Sequence, residues 1–253
     1  MALDRAVFVR PIAHRGLHDF AAGRIENTAP AFLAAIDRGY GIECDLQPAS
    51  DGIPMVFHDE ALDRLVDASG RLSNRSPADL QRLRYKGQDT RILNYAEFLD
   101  LVAGRVPLLV EVKSDWEPPH ADFLERIAAL TSAYAGPVAL MSFDPEVMAR
   151  LAVLAPNVPR GIVSGSYKPA RGDDWWADKL SASRRFRLRH LLESGPAKPS
   201  FFAYHVVSLR TPVVSFARTV MGLPMFTWTV RTPADRAEAA SRADAMIFEG
   251  FEP

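Results

Sequence analysis

The sequence predicts an α/β chain whose strands close into a (β/α)₈, or TIM, barrel, and three observations lead there. Short apolar runs alternate with segments of helical periodicity, the pattern of βαβ units feeding a parallel sheet. The runs number eight, the closed-barrel count. The 253 residues, 48% of them hydrophobic and 24% charged, fit one such unit with a sizeable core and no low-complexity tract. The expectation is therefore a single domain over residues 1–253, with an insertion at about 51–95.

The expected barrel strands are Val7 to Ala13, Gly41 to Leu46, Pro107 to Val112, Pro137 to Ser142, Arg160 to Val163, Phe201 to Val207, Pro224 to Val230 and Ala245 to Phe248. Helix ends are legible between them. Asn27 or Thr28 caps a helix with Pro30 in its first turn, Phe32, Ala35 and Ile36 on one face, and Gly39 just past its end. Asp144-Pro145 and Thr232-Pro233 repeat the cap-then-proline signal, and Asp235 completes a capping box with Thr232. Phe123, Ile127, Leu130 and Tyr134 form a stripe for packing on a barrel. Between the second and third strands Asp51-Gly52 marks a tight turn, and Ile53 to His58 returns as an extra short strand. A polar, Arg-rich stretch follows from Asp59 to Thr90, with a short helix starting at Ser76-Pro77. The insertion leaves from the face where βα loops emerge, the catalytic face of such barrels.

Composition narrows the function. A formal net charge of −1 and a pI near 6.6 exclude a general nucleic-acid binder, which carries a basic footprint. With Cys44 as its one cysteine the chain forms no internal disulfide, and no window offers eighteen consecutive apolar residues for a membrane span. A cytoplasmic location is the expectation.

Glu43 and Asp45 lie two apart on an expected strand and share a face. Side by side they repel, so a divalent ion bound through oxygens is one resolution and a set of ion pairs is the other. Glu111 ends the third strand, with Lys113 on the same face. His14 and Arg15 follow the first strand, and Gly16 allows the chain to turn sharply there. A His moves protons near neutral pH, and the Arg fork suits phosphate. His58-Asp59 ends the extra strand. Two histidines, three carboxylates, an Arg and a Lys thus fall on one rim.

The ordered series His14-Arg15-Gly16, Glu26-Asn27-Thr28, Glu43-Cys44-Asp45, Asp51-Gly52, His58-Asp59 and Glu111-Val112-Lys113 resembles that of the glycerophosphodiester phosphodiesterase family. Ser142-Phe143, Trp228-Thr229-Val230 and Asp244 to Ile247 extend the resemblance along the chain, more weakly in its second half. The resemblance implies hydrolysis of a small-molecule phosphodiester within lipid and glycerol metabolism. It implies Glu43, Asp45 and Glu111 as ligands of one divalent cation, Mg²⁺ or Ca²⁺, and His14 and His58 as the acid/base pair. Arg15 and Lys113 would hold the phosphate, and Trp228 would wall the site. Two positions depart from the pattern: Arg231 stands where the family has Asn, and Phe248-Glu249 replaces its Thr-Asp. These departures are expected to alter the pocket for the alcohol, with Phe248 adding apolar surface.

Trp175-Trp176, flanked by Asp173, Asp174 and Asp178 in the segment Gly165 to Lys179, admits two readings, mouth lining or satellite core. The arginines between Lys179 and His190 read as a solvated helix face, leaving peripheral membrane contact open. His18, His120, His190 and His205 match no motif and receive no role. Two other functions compete with the first: a lysophospholipase D-like hydrolase of lipid phosphodiesters, and a catalytically silent phosphodiester-binding module. A silent chain would be expected to lack a histidine or a ligand carboxylate, and this one has them all.

Overall fold

Parallel pairing runs around a closed ring in the computed structural model, which describes residues 1–118, 120–168, 175–176 and 178–253. The ring comprises β1 (Ile12–Ala13), β2 (Gly41–Pro48), β4 (Leu108–Val112), β5 (Val138–Ser142), β6 (Arg160–Ser164), β7 (Phe201–His205), β8 (Met225–Val230) and β9 (Ala245–Phe248). It closes where β1 pairs with β2 on one side and β9 on the other. The extra strand β3 (Pro54–Val56) lies antiparallel on the upper half of β2, after the Asp51-Gly52 turn as expected.

Helices α1 (Arg5–Phe8), α2 (Ala29–Asp37), α3 (Pro77–Arg82), α4 (Tyr95–Val102), α5 (Ala121–Ala133), α6 (Pro145–Leu154), α7 (Ala182–Arg189), α8 (Pro212–Ser215) and α9 (Pro233–Arg242) fill the connections. Their starts follow side-chain chemistry. Ser76, Asp144 and Thr232 each accept a backbone N–H of the first turn, and Thr232 and Asp235 close the capping box. The first strand is the largest departure from expectation. Asp4 caps Ala6 and winds Arg5–Phe8 into a helical turn, so the strand begins only at Ile12. Val7 and Phe8 stay apolar because this turn plugs the barrel floor: Phe8 and Leu3 pack with Ile12, Phe201 and Phe226.

The pleat then divides each strand between two cores. Ile12, Leu109, Ala139, Met141, Val163, Ala203, Phe226 and Ile247 point inward, while Ile42, Cys44, Leu46, Val110 and Leu140 pack outward under the helices. A step of two residues from the inward set reaches the carboxyl-end rim: Ile12 to His14, Leu109 to Glu111, Met141 to Phe143, Phe226 to Trp228, Ile247 to Glu249. Side chains two apart share a face, so the barrel's own packing aims these residues at one mouth. The insertion is less polar inside than its composition suggests, because Met55, Phe57, Leu62, Val66, Leu72, Leu80, Tyr85 and Ile92 form a core with Ile25 of the first loop. Among the described residues no helix is long and apolar enough to cross a membrane.

Candidate active site

Glu43 and Asp45 on β2 and Glu111 on β4 each bring a carboxylate oxygen into one cluster, all within 4.8 Å of one another and all buried. Lys113 Nζ lies 2.7 Å from Asp45 Oδ1 and donates to Glu111 Oε1 at 2.5 Å. Arg15 donates its backbone N–H to Glu43 at 3.0 Å, places Nε 3.4 Å from Asp45 and donates Nη1 to Glu26 at 2.7 Å. Asn27 Nδ2 donates to the second Asp45 oxygen at 2.8 Å. Gly16, at φ +80°, is forced by the close pass of this loop, since a Cβ there would sit 2.9 Å from the Ala31 carbonyl carbon.

The charges do not balance without help. Three carboxylates face two permanent cations. Burial would raise the Asp45 pKa, but Lys113, His58 and Arg15 outweigh it and hold the carboxyl well below its usual range. Glu43 goes the other way: burial raises it, and the neighbouring Asp45 and Glu111 raise it further against Arg15 and Lys113. An all-oxygen donor set with one unmatched negative charge fits a hard divalent cation.

His14 stands beside this cluster, its Nε2 3.9 Å from Glu43 Oε2. Its Nδ1 meets Glu249 Oε2 in a short contact, and the other Glu249 oxygen accepts Arg231 Nε at 2.5 Å. Burial and Arg15 lower the His14 pKa to about 4 against the opposing pull of Glu249, so the ring is neutral at pH 7. With Glu249 accepting at Nδ1, the proton sits there and Nε2 keeps its lone pair for the cluster side. On the insertion side His58 Nδ1 lies 2.7 Å from Asp59, and Arg64 bridges Asp59 at 2.6 Å and Glu26 at 2.7 Å. Each histidine is thus held from behind by a carboxylate that is itself paired with an arginine.

The opposite half of the mouth is aromatic. Phe143 meets Trp228 edge-on at 5.2 Å and Trp176 at 5.0 Å. Trp175 packs on Trp228 at 5.8 Å and on His205 at 5.3 Å. Gly165 makes room for that ring, because a Cβ would meet Trp175 at 2.4 Å. Trp228 Nε1 donates to the Ala203 carbonyl at 3.1 Å, which fixes the indole in the wall. Charged and aromatic halves enclose a cleft of about 360 Å³ lined by His14, Arg15, the carboxylates and these rings. His58, Lys113 and Trp176 also line a second cavity of about 330 Å³ that reaches Gln47, Arg71 and His120.

All eight residues singled out from sequence (His14, Arg15, Glu43, Asp45, His58, Glu111, Lys113 and Trp228) line the one cleft. Trp175 answers to both of its readings, being buried and also part of the cleft wall, whereas Asp173 and Asp174 lie outside the described residues. The expectation for Phe248 is overturned: it is buried between Tyr40 and Phe251 on the helix side of β9. The residue that reaches His14 is Glu249, its neighbour on the opposite face. His18 and His205 also gain surroundings, His18 Nε2 lying 3.4 Å from Glu249 and His205 lining the cleft. The arginine run is only partly solvated, since Arg184 stacks over Trp116 at 5.2 Å and approaches Asp144.

A buried carboxylate cluster at the carboxyl mouth of a closed parallel ring, with His14 after the first strand and His58 facing it from the insertion, defines a (β/α)₈ barrel with a site where such barrels carry theirs. Within that class it belongs to the glycerophosphoryl diester phosphodiesterase family, whose model matches residues 14–251. It is 35% identical over 137 residues to glycerophosphodiester phosphodiesterase 1 of Rattus norvegicus, covering 50% of this chain and 38% of the rat protein. The chain therefore spans well under two thirds of that relative. Its fold matches a phosphodiesterase from Oleispira antarctica in complex with the product sn-glycerol-3-phosphate (TM-score 0.73, 20% identity, 94% of this chain and 92% of that one). It also matches a glycerophosphodiester phosphodiesterase from Agrobacterium tumefaciens (TM-score 0.68, 21% identity, 94% and 95%).

Proposed function

We propose that the chain is a metal-dependent phosphodiesterase that hydrolyses glycerophosphodiesters to glycerol phosphate and an alcohol. The observation that carries this reading is the oxygen cluster of Glu43, Asp45 and Glu111 set between two oriented histidines. Family membership and the product-bound Oleispira relative support the substrate class.

The residues divide the work. Arg15 and Lys113 bind the phosphate oxygens, with the Arg fork fixing orientation. Glu43, Asp45 and Glu111 would hold the divalent ion, which when bound polarises a phosphoryl oxygen and offsets the charge that builds there. His14 takes the proton of the attacking oxygen at Nε2, and Glu249 with Arg231 holds its ring in that orientation. His58, which lines both cavities, protonates the leaving alkoxide. The aromatic half takes the carbon skeleton of a substrate arm.

That aromatic half favours a second reading of the same chemistry, in which the arm is a lipid or another bulky alcohol, as in a lysophospholipase D-like hydrolase. A cytoplasmic setting fits the reduced Cys44 and the soluble substrates of the first reading. The deciding experiment is a screen for glycerol phosphate and alcohol release across glycerophosphodiesters and lysophospholipids, with Mg²⁺ and Ca²⁺ each supplied in turn. Turnover of a glycerophosphodiester with either ion supports the proposal; product from none of them contradicts it and leaves a silent binding module.

A further inference from the structure

Away from the mouth, the described residues expose one continuous apolar surface. Phe186, Leu192, Phe216, Val220 and Met221 are each at least half exposed, from 50% for Met221 to 69% for Val220. Phe186, Leu192, Phe216 and Met221 gather around one cleft, and Val220 lies on the same helical turn as Phe216. Phe186 on α7 stacks against His190 at 4.2 Å, and His190 lines a cleft of about 510 Å³ with Leu191, Leu192, Phe216 and Met221. The far wall of that cleft is α8 and the wide π-helical turn Phe216–Val220 that continues it. Lone exposed apolar residues are ordinary, but a joined patch lining an open cleft marks a surface that is covered in use.

The rim says what covers it. Helix α7 carries Arg184, Arg185, Arg187 and Arg189 within eight residues. Glu193 compensates Arg184 and Arg187, whereas Arg185 and Arg189 have no carboxylate partner among the described residues and flank Phe186 in an adjoining crevice with Lys168. The chain as a whole is close to neutral, so this positive charge is local. A second copy of the chain is a poor occupant, because a two-fold contact on this face would set one arginine helix against the other. An anionic lipid surface satisfies both features: it takes apolar side chains at the acyl boundary and basic ones at the headgroups.

We infer that this face docks the protein peripherally on an anionic phospholipid bilayer, with Phe186, Leu192, Phe216, Val220 and Met221 inserting and Arg185 and Arg189 meeting the headgroups. The docking is independent of the catalytic cleft, and a bilayer would supply or receive substrate whose arm is lipidic. It does not rest on the proposed hydrolysis, since binding is measured without turnover.

The test is co-sedimentation of the full chain with vesicles of phosphatidylcholine alone and of phosphatidylcholine with 30% phosphatidylglycerol. Wild type is expected to pellet with the anionic vesicles, less so as salt is raised, and to stay in solution with the neutral ones. Phe216→Ser with Met221→Ser, and separately Arg185→Glu with Arg189→Glu, should each weaken partitioning on the order of tenfold. Both pairs lie outside the cleft, so hydrolysis of a soluble diester and the thermal melt should stay at wild-type values. Failure of wild type to pellet with either vesicle overturns the inference. So does a concentration-dependent dimer, seen by light scattering, that Phe216→Ser with Met221→Ser abolishes, which would assign the face to a second copy.

Discussion

The two halves of the barrel mouth are built on different physics. Strands β1, β2 and β4 present Glu43, Asp45, Glu111 and Lys113, whose ion pairs close at 2.5 to 2.7 Å, with the neutral His14 standing 3.9 Å from Glu43. Strands β5 to β8 end beside Phe143, Trp175, His205 and Trp228, whose ring centroids lie 4.8 to 6.2 Å apart. In the charged half every group depends on a partner, so removing one strands another in a buried site. In the aromatic half contact area is shared among several rings, and one loss is spread over the others. The comparison teaches where chemistry and recognition sit: the charged half should govern kcat, the aromatic half KM and substrate choice.

The sharpest way to break that division is at the histidines. His14→Ala and His58→Ala are each expected to lose about 10²–10⁴-fold in kcat with circular dichroism unchanged. Near wild-type turnover by either variant on the best substrate would remove it from acid/base work. One step back from the chemistry, Glu249→Gln keeps the size of the side chain but weakens its hold on His14 and Arg231. The expected loss is roughly 10–100-fold in kcat with little change in KM, the scale seen when a group orienting a reactive His is removed. Restoration of most activity by Glu249→Asp would show that the carboxylate, more than its reach, matters. A change confined to KM would assign Glu249 to substrate binding.

How much of this was legible follows from the same division. The charged half was readable because its residues come as short motifs, and the two-residue spacing of Glu43 and Asp45 follows from the pleat. Glu249 was missed although it obeys that rule, lying two beyond the inward Ile247. Phe248 lies on the other face of β9, packed under the helices. Arg64 gave no signal at all, since it reaches Asp59 and Glu26 only through the fold of the insertion. In the same way Arg5–Phe8 resembled a strand because a barrel plug and a barrel strand need the same apolar residues. The aromatic half was only partly legible, because aromatic residues serve core and cleft alike; Trp175 does both.

On the aromatic side, Trp175→Ala with Trp176→Ala should raise KM for a lysophospholipid or aromatic diester more than for glycerophosphoethanolamine, while leaving ion binding unchanged. Because Trp175 is buried, the pair is also expected to cost about 3–5 kcal/mol in stability, visible as a lower melting temperature. Equal KM losses on both substrates would make these rings core alone. The smallest effect is expected behind the charged half, at Glu26. Burial would raise its pKa, but hydrogen bonds from Arg64 and the charge of Arg15 bring it down to about 2. A carboxylate with a depressed folded-state pKa stabilises the fold above its unfolded value, near 4.5, and that contribution is lost as pH falls from there towards 2. Glu26→Gln should therefore lower the melting temperature at pH 7 by roughly 5 °C, with the gap to wild type closing as pH falls from about 4.5 to about 2. A gap independent of pH would trace the loss to packing.

The central claim is that Glu43, Asp45 and Glu111 hold a divalent ion on which turnover depends, and calorimetry on the chelator-stripped protein tests it most directly. Titration with Mg²⁺ or Ca²⁺ should show one site, with affinity falling as pH is lowered because the ligand carboxylates must shed their protons. Asp45→Asn and Glu43→Gln should weaken that binding and hydrolysis together, and excess chelator should abolish turnover in wild type. Undiminished hydrolysis in chelator with the ion confirmed absent, or wild-type ion affinity in both variants, would contradict the account.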